Sequence, residues 1–132
     1  MNKIIVIIFL GFFSNVLNAQ TNYLCITEKS SGFNYSKSRK NWDSVQFNNR
    51  GKYVIKNSST DWDVRKMGEQ TSMLMTCTKS KPNTIVYCNS VAEHFTFNPV
   101  ELKFSYYFAG GYSLPAVFPD PLVIEIGLCS PL

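Results

Sequence analysis

A chain of 132 residues, 17% charged and 45% hydrophobic, has room for one domain and too much apolar character to be disordered. Thirteen basic residues against nine acidic give a modest formal charge of +4, spread largely over turns. The single histidine excludes a histidine-based zinc site, and four cysteines standing at 25, 77, 88 and 129 lack the close pairs that zinc requires.

The first stretch differs from everything after it. Lys3 supplies a positive charge, Ile4 to Phe13 is apolar apart from Gly11, and Ser14 to Asn18 turn polar before the small Ala19. That order is the layout of a secretory signal peptide, and its apolar part is shorter than the roughly 20 residues a membrane-spanning helix needs. Residues 1–19 are therefore expected to be a signal peptide and 20–132 a single all-β domain. No cysteine stands at the cleavage point, which argues against a lipid anchor, and no transmembrane span is expected after cleavage.

Strand-like runs then recur about every ten residues between turn-prone segments, the spacing of a β-sandwich or barrel. Tyr23 to Thr27 opens the series and stops at Ser30-Ser31-Gly32. Phe33 to Ser36 and Trp42 to Phe47 flank a basic turn, Lys37 to Asn41, and Lys52 to Lys56 and Trp62 to Met67 follow. Thr71 to Thr78 places Met73, Met75 and Cys77 on one face, and Lys81-Pro82-Asn83 is a turn from which Thr84 to Cys88 returns. Ser90-Val91-Ala92-Glu93 and Asn98-Pro99-Val100-Glu101 resemble helix capping boxes. The first leaves space for a short helical turn near Ser90 to His94. The second precedes the period-two, aromatic run Leu102 to Phe108, which reads as a strand. In the last strand Leu122, Ile124, Ile126 and Leu128 point one way, and Val123, Glu125 and Cys129 the other.

Four cysteines in a small exported chain imply two disulfides. Cys77 and Cys88 enclose one hairpin and are expected to pair, leaving Cys25 to bridge Cys129 between the first and last strands. Strand parity agrees, since Cys25 lies off the Leu24/Ile26 face and Cys129 off the Leu122 to Leu128 face. Joining the two end strands suits a small antiparallel β-barrel or β-sandwich of about 8–10 short strands, disulfide-stapled.

Catalytic groups are scarce. His94 has no free cysteine to activate, and no nucleophile elbow is present. Asp61 and Asp63 flank Trp62 and would be the carboxylates of a small hydrolase, but the same pattern describes a solvent-facing side over a buried tryptophan. No metal and no cofactor is expected. Trp42, Trp62, Tyr107 and Tyr112, with Arg39 and Lys40, form the candidate binding surface. Tyr106-Tyr107-Phe108 cannot all point inward, and Phe108 to Tyr112 reads as a mobile loop followed by a rigid extended segment, Pro115 to Pro121. Charge is uneven: residues 20–89 carry 11 basic and 5 acidic side chains, and residues 90–132 carry one basic and four acidic.

Export, size, the Tyr23-Leu24-Cys25 opening and a cysteine in the last strand give a layout that resembles the small periplasmic barrels that inhibit lysozyme. Inhibitory loops of that family are not recognisable, and a basic chain would repel a basic lysozyme. The expected function is that of an exported, non-enzymatic binding protein, periplasmic or extracellular. Its partner would be a protein, glycan or envelope component, and export disfavours nucleic acid. The alternatives are a carrier of a small apolar ligand and an enzyme-inhibitor-like barrel.

Overall fold

The computed structural model describes residues 21–48, 51–58, 61–69, 75–82, 84–113 and 119–132. The expected signal peptide, Thr71 to Leu74, Asn83 and most of the Pro115 to Pro121 segment lie outside these residues. Nine strands and one helical turn are found among them: β1 (Tyr23–Ser36), β2 (Asn41–Gln46), β3 (Lys52–Asn57), β4 (Trp62–Lys66), β5 (Thr76–Lys79), β6 (Val86–Asn89), β7 (Glu93–Asn98), β8 (Lys103–Phe108), α1 (Gly110–Ser113) and β9 (Leu122–Pro131).

All pairings are antiparallel, in the order β4-β3-β1-β9-β8-β7-β6-β5, and β2 pairs with β1 off this path. The end strands β4 and β5 touch without forming a ladder, so eight strands make a nearly closed barrel. Closure removes most of the exposed edge that an open sheet would present. This decides between the two architectures expected: the fold is a barrel.

Strand β1 organises the molecule. Its first residues pair with β3, its last with β2, and its other edge with β9 along nearly the whole length. The turn expected at Ser30-Ser31-Gly32 does not form, and the chain runs through it as strand. Gly32 serves close approach instead, because a side chain there would overlap the Leu122 carbonyl oxygen across the ladder. A register shift between Thr27 and Lys29 marks a bulge, which lets Thr27 and Ser30, three positions apart, both turn inward.

Neither capping box starts a helix. Asn98 Oδ1 accepts from the backbone N–H groups of Val100 (3.0 Å) and Glu101 (3.1 Å), closing a turn before β8. Ser90 and Glu93 do bond through their side chains (3.3 Å), but Glu93 already belongs to β7. The one helical turn, α1, falls in the glycine-containing stretch read as a loop.

Both disulfides have the expected pairing, Cys25–Cys129 and Cys77–Cys88, and each joins residues directly opposite in neighbouring strands. Two disulfides indicate an oxidising, non-cytoplasmic location. They help fill a core built on Tyr53, Ile55, Val64, Val86, Phe95 and Phe97. Tyr53 stands at its centre, with ring centroids 5.3–5.4 Å from those of Phe95, Phe104 and Tyr106. The apolar row of β9 is on the outside: Ile124, Ile126 and Leu128 are each 48% exposed, whereas Glu125 and Cys129 are buried.

Candidate functional site

The two ends of the barrel are unlike each other. Where β1 begins and β9 ends, Tyr23 and Trp62 stack at 6.4 Å, and both meet Phe97, at 4.8 and 6.1 Å. These rings and the Cys25–Cys129 bridge fill that end. The opposite end opens into a cavity of about 790 Å³. This lies within the usual range of small-ligand sites, about 300–1,000 Å³.

Parity delivers polar groups to this cavity. Because Cys129 points inward, so do Glu125 and Val123 on the same strand. Glu125 is 4% exposed, and its Oε2 accepts from Thr27 Oγ1 (2.6 Å) and from the Tyr53 hydroxyl (3.0 Å). Gly51 keeps room for this arrangement: a Cβ there would overlap Glu125 Oε2 and lie 3.0 Å from the Tyr53 ring and 3.1 Å from Thr27 Oγ1. A second tyrosine repeats the pattern, the Tyr106 hydroxyl donating to Glu93 Oε1 at 3.0 Å.

Burial pushes the Tyr53 hydroxyl pKa well above its ordinary value, and the Glu125 carboxylate adds to the shift. Tyr106 is raised likewise, by burial first and then by Glu93. Both phenols thus remain protonated donors.

Four acidic side chains line the cavity, Glu69, Glu93, Asp120 and Glu125, against two basic ones, Lys52 and Lys66. Lys66 is engaged by Glu69 at 2.9 Å and sits 5.9 Å from the Tyr106 ring centroid. The apolar wall includes Phe47, Phe108 and Val123. Three of the four acids of residues 90–132 therefore gather in one place, at the mouth of a chain that is basic overall.

The candidate residues read from the sequence are divided among three places. Trp42 meets Tyr35 (5.3 Å) and Tyr112 (5.5 Å), beside the turn that carries Arg39 and Lys40, where Arg39 pairs with Asp43. Tyr107 lies on the outer wall, stacked on His94 at 4.3 Å. Trp62 belongs to the filled end and is half-buried, so it is not part of any shared surface with the others. Asp63 accepts from Arg65 Nε at 2.7 Å, and neither Asp61, Asp63 nor His94 lines the cavity. The cavity group of Glu125, Glu93, Tyr53, Tyr106 and Ser30 was missed. The available signal was Glu125 itself, a charge in an apolar strand and on the same face as a bridged cysteine.

Among the described residues no three His, Cys, Asp or Glu side chains are grouped to hold a metal, and no helix is long and apolar enough to cross a membrane. Chemically, the arrangement offers an open-mouthed cavity with hydrogen-bond acceptors at its base and apolar surface on its wall. Comparison with protein-family models, with curated proteins and with solved structures finds no match to this chain.

Proposed function

We propose that this chain is an exported, non-enzymatic binding protein, working in the periplasm or outside the cell, whose open barrel end takes a small ligand. The observation that carries this reading is the cavity of about 790 Å³ with a buried, hydrogen-bonded carboxylate at its base. Two features support binding over catalysis. The tyrosine hydroxyls nearest the carboxylates are held as donors to them, and the sequence carries neither a nucleophile elbow nor a free cysteine for His94 to activate. Signal-peptide layout and two disulfides support export.

Native mass spectrometry of protein gently purified from its own host tests this. The expected result is an added mass that leaves on unfolding and is absent from Val123→Trp, which fills the cavity mouth. Protein that carries no added mass from its native source sinks the reading.

A second reading is favoured by the ring cluster of Tyr35, Trp42 and Tyr112 with the basic turn beside it. Tyr112 is 59% exposed, and aromatic rings next to arginine are typical of protein interfaces. On this reading the chain is an interaction module for a protein, glycan or envelope component. A pull-down from the envelope fraction that is lost in Trp42→Ala but kept in Val123→Trp would select it.

A further inference from the structure

The cavity's hydrogen-bonding inventory is one-sided. Tyr53 and Tyr106 spend their protons on Glu125 and Glu93, and the Lys66 ammonium is engaged by Glu69. Among the described residues both hydrogen bonds of Glu125 fall on Oε2, and neither Glu125 nor Glu93 is in an ion pair. The donors left are the Ser30 hydroxyl and the exposed Lys52 ammonium at the rim, while carboxylate acceptors remain at the base. A buried carboxylate without a cation is costly, and a ligand that brings one offsets that cost.

Ser30 is a separate indication of a missing partner. It lines the cavity, is 9% exposed, and its buried Oγ has no hydrogen-bond partner. Buried hydroxyls are nearly always bonded. In the β1–β9 ladder Ser30 stands directly opposite Glu125, so both side chains leave neighbouring backbone positions toward the same interior. An orphaned hydroxyl and a half-used carboxylate are thus adjacent in the sheet.

We infer that the open end binds a small organic cation, a primary ammonium or guanidinium bearing an apolar group. Its charged head donates to Glu125 and Ser30, and its apolar part lies against Phe47, Phe108 and Val123. An anionic ligand would meet the buried Glu125 carboxylate beside the Ser30 hydroxyl and be repelled by it, and a neutral hydrocarbon would leave that hydroxyl unpaired. This inference rests on the cavity reading above and specifies its ligand class.

Calorimetric titration of the oxidised, exported protein at neutral pH and low salt tests it with three probes of one shape: benzylamine, benzyl alcohol and benzoate. Benzylamine is expected to bind saturably and at least about ten-fold more tightly than either other probe. Glu125→Gln should weaken it about ten-fold or more, and Ser30→Ala several-fold. If Glu125→Gln unfolds the barrel, Ser30→Ala carries the comparison, and Lys103→Gln, outside the cavity, should leave binding unchanged. Equal or tighter binding of benzyl alcohol or benzoate overturns the cation inference while the cavity reading stands. No saturable binding of any probe up to millimolar concentration overturns both.

Discussion

Thr27 on the first strand and Glu125 on the last share a 2.6 Å hydrogen bond inside the barrel, across 98 residues of sequence. With Tyr53 it ties β1, β3 and β9 together through one buried carboxylate. Removing either donor leaves that carboxylate with a single bond. Thr27→Val and Tyr53→Phe should each cost about 1–3 kcal/mol in urea unfolding. Because they share a partner, the two should be non-additive by at least about 0.5 kcal/mol. Strict additivity would mean that the carboxylate does not couple them.

Gly51→Ala should act on the same group without removing any donor. Its methyl group would compete with Glu125 Oε2 for space already bounded by Tyr53 and Thr27. A loss of about 1–3 kcal/mol is expected, as for other overpacked positions. A variant as stable as the parent would show that Glu125 can move aside freely.

Alkaline titration should expose the two buried tyrosines. Their folded pKa values lie above the ordinary 10.0, by burial first and then by the neighbouring carboxylates. The unfolded chain therefore loses these protons at lower pH than the folded one. The stability they contribute is complete below about pH 10 and is lost as pH rises beyond it, by about 1.4 kcal/mol per pH unit for each tyrosine. Tyr106→Phe should flatten the decline by one such increment, measured by urea unfolding at two pH values above the ordinary tyrosine range. Identical slopes would refute the assignment.

The two bridges should differ in weight. Cys25–Cys129 spans 104 residues and Cys77–Cys88 spans 11. In the loop-entropy picture removing the long bridge costs up to about 4.7 kcal/mol, and the short one about 3. Replacing Cys25 and Cys129 together by serine should lower the melting temperature more than replacing Cys77 and Cys88. The reverse order would place the greater constraint in the hairpin.

Truncations should distinguish the inner and outer faces. Phe97→Ala, at a fully buried position, should cost about 3–5 kcal/mol. Ile126→Ala, on the outer row, should cost less than about 1 kcal/mol. Comparable losses in thermal unfolding would contradict the orientation of β9.

Local chemistry made much of this fold legible. Alternation marked most of the strands, and the hairpin around Pro82 together with strand parity paired the cysteines. The errors share a cause. Gly32 and Ser90 stand in segments whose local chemistry favours a turn or a helix start, and neighbouring strands decided otherwise at both, whereas Asn98 does close a turn, ahead of the strand read from Leu102 to Phe108. Leu122 to Leu128 is an apolar row whose pattern gives two faces without saying which is inner. The bridge at Cys129 answers that, and once it does Glu125 must lie inside. The cavity was harder to see because its members come from six strands and the segments between them, and apart from Lys66 and Glu69 its bonded partners are far apart in sequence.

The strand that sits between β3 and β9 is also the first of the described strands to be synthesised. Its longest ladder is with β9, so eight strands must be made and held before the barrel can shut. Pairings this distant in sequence form slowly. A nascent chain of this design stays threadable until β9 emerges, and it becomes compact only afterwards, when Cys25 and Cys129 can meet.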